Sequence, residues 1–211
     1  MRRSIREGLI LVGAFILTGA TAWGQQTRKP APASVDLAIT YSPERAQIVP
    51  DQCCFWMQGG AADAAATFWK GFGIAASLTG EHASNYLPAM SVHRIAFLAG
   101  PRYTYTAWAS HAGSAAESPF IQVFGQGLFG GAHGYDGVYP SGSGTTSIAS
   151  SSAIEVGGGF NLFFTRSVGV RLLEVDYVRT ALPNNSTNAQ DDMRLAFGVA
   201  FRFDSVSSHH R

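Results

Sequence analysis

Six charged residues lie inside segments that are otherwise apolar and that alternate with a period of two. They are Arg102, Glu155, Arg171, Glu174, Asp176 and Arg194. A period of two places alternate side chains on opposite faces of a β-strand, so these charges would lie opposite the apolar face. Because an unpaired buried charge is very costly, their mixed signs predict a structural network of paired side chains. A narrow gated conduit or a proton path is the alternative.

Two groups of polar residues could supply a base and a nucleophile. Glu81, His82 and Ser84 lie together, and His133 lies near Asp136. Such combinations are common in polar loops, so we predict no catalytic residue. No histidine or cysteine pair has a recognised ligand spacing, and we therefore predict no metal site and no cofactor. The glycines at 157–159 open no helix, which argues against a phosphate-binding loop and for strand curvature or close packing.

The segment 194–203, RLAFGVAFRF, is typical of the elements that must position these charges. Every odd position is apolar, and its length matches a transmembrane β-strand of about 9–11 residues. Eight segments are predicted as strands: 35–42, 61–69, 72–80, 93–106, 119–132, 152–164, 168–179 and 194–203. The further inward candidates on these strands are Asp36, Asp63, Arg94, Gln122, Gln126 and Arg202. The expected fold is an all-β, eight-stranded antiparallel up-and-down transmembrane barrel.

The connections between these strands alternate in length. Long loops are predicted at 43–60, 81–92, 133–151 and 181–192, and tight turns at 70–71 and 165–167. Short turns at one end and long loops at the other are typical of bacterial outer-membrane barrels. The connection at 107–117 is longer than this pattern requires. We also predict β-bulges at Pro101 and near Leu172-Leu173, the second because Arg171 and Asp176 have opposite parity.

The N-terminus carries a targeting signal. Arg2, Arg3 and Arg6 precede an apolar stretch at 9–17 and small residues up to Gly24, which predicts a signal peptide at 1–24. A flexible Pro-rich leader at 25–34, a barrel at 35–203 and a polar tail at 204–211 follow. The mature chain is nearly neutral, which argues against a nucleic-acid partner. The only cysteines, Cys53 and Cys54, are adjacent and provide no disulfide framework; two free thiols are favoured over a strained vicinal disulfide.

Five phrases, in order and spacing, resemble the outer-membrane protein β-barrel domain family, the small OmpA/OmpX/opacity-protein-like barrels. They are FLAGPRYTYT (97–106), PFIQVFGQGLFGGAH (119–133), AIEVGGGFNLFF (153–164), VGVRLLEVDYVRT (168–180) and RLAFGVAFRF (194–203). The resemblance covers about residues 35–203. It implies a location in the outer membrane with both chain ends in the periplasm, and it implies no particular activity.

The expected function is therefore a structural or adhesion-like role exerted through the extracellular loops. The expected partners are outer-membrane lipids, including lipopolysaccharide, and an external ligand or surface that meets the loops. We expect a monomer. Two alternatives are a narrow channel for small solutes and a lipid-modifying enzyme.

Overall fold

The computed structural model describes residues 33–46, 54–87, 90–109, 119–141, 144–184 and 187–204. The predicted signal peptide, most of the leader, Cys53 and the tail beyond Asp204 lie outside these residues. Within the described part of the chain, no helix has the length and apolar character needed to cross a membrane.

Eleven β-elements follow one another along the chain. They are β1 (Ser34–Tyr41), β2 (Glu44–Ala46), β3 (Phe55–Trp69), β4 (Phe72–Leu87), β5 (Met90–Ala109), β6 (Phe120–Tyr135), β7 (Tyr139–Ser141), β8 (Gly144–Thr146), β9 (Ala149–Phe163), β10 (Val168–Thr180) and β11 (Gln190–Asp204). β7 and β8 form a small separate hairpin. The other elements build one antiparallel sheet.

This sheet closes on itself as a barrel. β1 pairs with both β3 and β11, and β2 pairs with the same two strands further along. β1 and β2 therefore occupy a single position in the wall, interrupted at Ser42-Pro43 because proline cannot donate a ladder hydrogen bond. The wall has eight strand positions, which confirms the predicted eight-stranded antiparallel barrel. Closure leaves the wall without an open edge.

The two ends of the barrel differ. At one end, which we call the turn end, lie Ser34, Asp204, the 70–71 turn and the 164–167 turn. Lys70 and Gly71 both have positive φ (47° and 92°), as a type I′ hairpin turn requires. The opposite end, called the loop end, carries the β7–β8 hairpin and the meeting ends of β4 and β5, which only residues 88 and 89 separate. The end of β5 and the start of β6, which residues 110–119 separate, lie at the turn end.

The outer face of the wall carries a band of exposed apolar side chains. Along β11, for example, Phe197, Val199 and Phe203 are exposed while Ala196 and Ala200 are buried inside. Exposed aromatic residues ring the turn end, namely Phe68, Trp69, Phe72, Tyr103, Tyr105, Phe164 and Phe203. An apolar band with an aromatic border is what a barrel needs in order to contact lipid. The predicted outward and inward faces are confirmed.

The predicted loops were too long. Residues 55–60 belong to β3, 81–87 to β4, 90–92 to β5 and 190–192 to β11. The alternation of apolar and polar residues ends there because the outward residues between the apolar band and the loop end are polar, such as Gln58, His82 and His93, or are glycines. Without an apolar face, the period of two disappears although the backbone ladder continues.

The bulge near Leu172-Leu173 is confirmed. The register of β10 shifts between Arg171 and Glu174 against β11, and between Arg171 and Leu173 against β9. The extra residue brings both Arg171 and Asp176 to the inner face. The prediction of a bulge at Pro101 is wrong. β5 pairs with β4 in one unbroken register from Ser91, opposite Ser84, to Tyr103, opposite Phe72, and Pro101 lies within this stretch. A shift in β5 occurs instead between Thr106 and Trp108.

Candidate functional site: the barrel interior and its loop end

The interior nearest the loop end holds a cluster of one arginine and three carboxylates. Arg94 Nη1 donates to Asp192 Oδ2 at 2.8 Å, Arg94 Nε donates to Glu81 Oε2 at 2.8 Å, and Arg94 Nη2 pairs with Glu44. All four side chains are buried. The cluster ties β2, β4, β5 and β11 together across the barrel, so we call it the Arg94 cluster.

A second cluster lies nearer the middle and contains five of the six predicted site residues. Arg194 Nη2 lies 2.6 Å from Glu155 Oε2 and 3.0 Å from Asp176 Oδ2. Arg171 Nη1 lies 2.6 Å from Glu174 Oε2 and also pairs with Asp63. Gln126 Nε2 joins the two halves by donating to Glu155 at 3.1 Å and to Glu174 at 3.0 Å.

Three of these carboxylates converge. Oxygen atoms of Glu155, Glu174 and Asp176 lie within 4.8 Å of one another. Arg194, Arg171 and the Gln126 amide already contact them. Positive charge between like-charged carboxylates is what permits them to be buried together.

Glycines make room for these carboxylates. Gly59 lies opposite Glu81, Gly157 opposite Asp176 and Gly159 opposite Glu174. A Cβ atom at Gly157 would come within 2.7 Å of the Asp176 Cα, and one at Gly59 would come within 2.7 Å of the Glu81 Cγ. The glycines at 157–159 therefore serve close packing, as the sequence indicated.

The sixth predicted residue, Arg102, stands apart from the other five. Its guanidinium lies over the Phe124 ring, with Cζ 3.6 Å from the ring centroid, and Arg171 lies over the same ring at 4.8 Å. Burial against an aromatic face is a favourable place for a guanidinium. Arg102 is thus brought near the second cluster through Phe124 and not through a carboxylate.

The interior at the turn end is also filled. Gln122 Nε2 donates to Asp36 at 3.0 Å, Asn161 Nδ2 donates to Gln122 at 2.7 Å, and Arg202 Nη2 donates to Ser34 at 3.1 Å. Among the described residues, eight buried carboxylates face five buried arginines. The interior therefore carries more acidic than basic groups, and another part of it is filled by a buried apolar cluster that includes Leu98 and Leu128.

An apolar plug closes the loop end of the interior. Tyr139 of β7 and Leu182, which follows β10, are each only 1% exposed and pack among inward side chains of the wall. The plug consists of Ala46, Met57, Ala83, Val92, Tyr139, Ala149 and Leu182. Gly134 and Gly137 leave the space that the Tyr139 ring fills. Two connections of the chain thus fold back over the mouth of the barrel.

We expect the intact barrel to show no steady ionic conductance in a planar lipid bilayer. Among the described residues, the apolar plug and the paired side chains beneath it occupy the interior, and an eight-stranded barrel is only wide enough for its own side chains. Single-channel recording of the refolded protein measures this directly. A steady open level at neutral pH in most insertions would contradict a closed interior and favour the channel alternative.

The two polar groups that could supply a base and a nucleophile assemble only in part. Glu81 points into the barrel to Arg94, whereas His82 lies on the outer wall, so these neighbours are on opposite faces. His82 Nε2 lies 2.7 Å from Ser84 Oγ, and His133 Nδ1 lies 2.7 Å from Ser150 Oγ. Among the described hydrogen bonds, neither histidine has a carboxylate to orient its ring, as a catalytic triad would require.

Sequence reasoning missed three interior carboxylates: Glu44, Glu81 and Asp192. All three lie in segments predicted as loops, where the apolar alternation has ended. Arg94 was predicted to face inward but could not be linked to them. Glu81 has the opposite parity to the outward Leu78, and Asp192 has the opposite parity to the outward Met193. If the predicted strands had been extended, this alternation would have placed both carboxylates inside.

No protein-family model matches the sequence. A search of curated proteins also finds no match. Among solved structures, the fold is similar to that of Neisserial surface protein A (NspA), with a TM-score of 0.54 and 12% identity over 83% of this chain and 100% of that one. Ail of Yersinia pestis, crystallised with a heparin analogue, gives a TM-score of 0.48 at 14% identity, over 83% of this chain and 100% of that one. The N-terminal barrel of Pseudomonas aeruginosa OprF gives a TM-score of 0.42 at 14% identity, with the same coverage of 83% and 100%.

The likeness to NspA, with the closed eight-stranded wall and its apolar outer band, confirms the fold that the sequence resemblance implies. The chain has the fold of the small eight-stranded outer-membrane β-barrels.

Proposed function

We propose that this chain is an integral outer-membrane protein that acts as a structural or surface-interaction protein through its loop end. The apolar outer band supports the membrane location, and the predicted signal peptide supports export across the inner membrane. The turn end, at which the first strand begins and the last strand ends, would face the periplasm, and the loop end would face the exterior.

One observation carries the proposed role: the interior is filled and its loop end is plugged. Arginine–carboxylate clusters cross the barrel, and Tyr139 and Leu182 cover its mouth. A filled interior does not suit transport, which leaves the outer surface and the loops as the parts that can meet other molecules. The interior network, including Arg102, Glu155, Arg171, Glu174, Asp176 and Arg194, would then have a structural role.

The outer surface at the loop end suits the partners that we propose. Tyr41, Trp56 and Tyr177 are exposed there, and Arg45 and three histidines also lie on this face, as does Arg179 beside the exposed Asp191 carboxylate. Aromatic and basic side chains at a membrane border favour contact with anionic lipid headgroups, including those of lipopolysaccharide. The wall itself rises beyond the apolar band on β3, β4 and β5, so it would present a rigid sheet to an external ligand.

The proposed orientation predicts which end of the barrel can be labelled from outside the cell. In a background with Cys53 and Cys54 replaced by serine, Thr146→Cys in the exposed β7–β8 hairpin should react with a membrane-impermeant maleimide on intact cells. Lys70→Cys, in the tight turn at the other end, should react only after the outer membrane is permeabilised. Labelling of Lys70→Cys alone on intact cells would reverse the orientation. Equal labelling of both in intact cells would contradict insertion in the membrane.

A further inference from the structure

The apolar outer wall is not uniform: a shallow trough runs along β3. Its floor is made of small outward residues, Ala62, Ala64 and Ala66. Larger side chains border it on β1, where Leu37 and Ile39 are exposed. On the other side stand Ile74 and Leu78 of β4 and Phe97 of β5. Two open cavities of about 450 and 510 Å³ adjoin one another along this trough, and both are lined by Ala64 and Ala76.

The trough stays open toward the loop end. Its next outward position on β3 is Gly60, which lies opposite Gly80 of β4. A Cβ atom built on Gly80 would meet no atom within 4 Å, so the β4 side of the path is open there, and Tyr41 of β1 borders Gly60 on the other side. From Ala66 to Gly60 the strand rises about 20 Å, at about 3.3 Å a residue. This length suits one extended hydrocarbon chain lying against the wall.

A row of polar side chains stands where the trough ends. Gln58, His82 and His93 lie side by side in register on β3, β4 and β5. The rings of His82 and His93 stack with centroids 4.3 Å apart, and the His93 ring stacks on Tyr135 at 4.9 Å. The stacked rings of His82, His93 and Tyr135 join β4, β5 and β6 at the border between the apolar band and the polar part of the wall.

This row offers hydrogen-bond donors. Gln58 Oε1 accepts from the Tyr41 hydroxyl, which turns the amide oxygen toward Tyr41 and leaves the amide N–H groups for another acceptor. Within the described part of the chain, His93 makes no hydrogen bond through its ring, although its two faces are stacked. On the described stretches of β3, β4 and β5, Asp63 and Glu81 both face inward, so no carboxylate stands beside the row. Donors without a neighbouring carboxylate suit an anion.

We propose that the trough and this row form a binding site for one phosphate-bearing lipid of the outward leaflet. The acyl chain would lie over Ala66, Ala64 and Ala62 and cross Gly60, where many small dispersion contacts add up along its length. The phosphate would accept hydrogen bonds from Gln58 and His93, and such bonds are stronger when the acceptor is charged. This inference rests on the proposed membrane location, and it deepens the proposed contact with membrane lipid.

Native mass spectrometry of the refolded protein in detergent can test the site. The probes are phosphatidic acid, diacylglycerol with the same chains, and inorganic phosphate alone. We expect one molecule of phosphatidic acid per barrel, bound at least about tenfold more tightly than either of the other two. Equal binding of diacylglycerol would refute the role of the polar row. Equal binding of inorganic phosphate would refute the role of the trough.

Two variants and two matched controls locate the binding. Ala64→Phe fills the trough from the lipid-facing side, and His93→Phe keeps a stacking ring but removes its N–H donor. Each should weaken phosphatidic acid binding about tenfold. As controls, Val156→Phe adds a ring on an outward position of β9, and Tyr103→Phe removes a donor from an exposed ring on β5 at the turn end; both should bind as the parent protein does. A loss that is the same in all four variants, or in none, overturns the assignment.

The remaining outcomes separate this inference from the proposed membrane location. Insertion of each variant into phosphatidylcholine vesicles is measured by protection from added protease. A barrel that inserts but shows no preference for phosphatidic acid refutes only the lipid site, whereas a barrel that fails to insert refutes the location. A mass of two chains that is lost in Ala64→Phe would mean that a second copy of the chain occupies the trough, which also overturns the lipid assignment.

Discussion

Arg94→Leu should destabilise the barrel by about 3–5 kcal/mol, the usual cost of removing one partner from a buried ion pair. Arg94 contacts Glu44, Glu81 and Asp192, and all three carboxylates are buried. Leucine would remove the positive charge that these three buried carboxylates share. The free energy of unfolding is measured from the urea midpoint of the protein folded in lipid vesicles.

Glu81→Gln is the matched control for Arg94→Leu. The amide has nearly the same shape and can still accept a hydrogen bond from Arg94 through its oxygen. It also removes one negative charge from an interior in which the described carboxylates outnumber the arginines. We therefore expect a change of no more than about 1 kcal/mol, the usual worth of one hydrogen bond. Equal midpoints for Arg94→Leu and the parent protein would show that water reaches the cluster, and the structural role of the interior would have to be abandoned.

Val199→Arg should cost about 2–4 kcal/mol because it places a cation on the lipid-facing wall near the middle of the bilayer. Val199 of β11 is 44% exposed and lies in register with Ile39 of β1 and Val170 of β10, so its neighbours on both sides are apolar. The same measurement applies, the urea midpoint in lipid vesicles compared with the parent protein.

Ser152→Arg provides the control at another depth. Ser152 is also outward, on β9, but it lies beyond the apolar band toward the loop end, with Ile154 as the next outward residue. An arginine near the membrane border costs about 0–1 kcal/mol.

A second pair of variants, Val199→Ser and Ala200→Ser, compares the outward and inward faces of β11, and the larger loss of stability should occur at Val199. Equal losses for Val199→Arg and Ser152→Arg would show that the outer wall does not contact lipid.

The sequence by itself determined the strands that cross the apolar band and the direction of their side chains. The alternation in RLAFGVAFRF places Val199 outward and Ala200 inward, because a period of two admits no other arrangement in a strand with one apolar face. The parity conflict between Arg171 and Asp176 predicted the bulge at Leu172-Leu173 for the same reason. The turn at Lys70-Gly71 followed from local residue preferences.

Only the tertiary structure decided which interior charges meet. Parity states that Arg94 faces inward, but it does not state which of the other strands bring a carboxylate to its level. Arg94 lies 98 residues from Asp192 and 50 from Glu44, and closure of the barrel through β1, β2 and β11 places them together. The register of distant strands depends on the whole closed wall, which no local pattern contains.

The extent of the wall and the plug were likewise decided by tertiary contacts. Strands β3, β4 and β5 continue past the apolar band because each backbone ladder is supported by its neighbour, even where the outward residues, such as Gln58 and His93, are polar. Tyr139 and Leu182 lie in connections that read as polar loops, and they are buried only because the barrel mouth offers an apolar cavity of the right size. The local alternation of residues reflects which face of a strand contacts lipid. The burial of a loop residue depends instead on side chains from segments that are distant in the sequence.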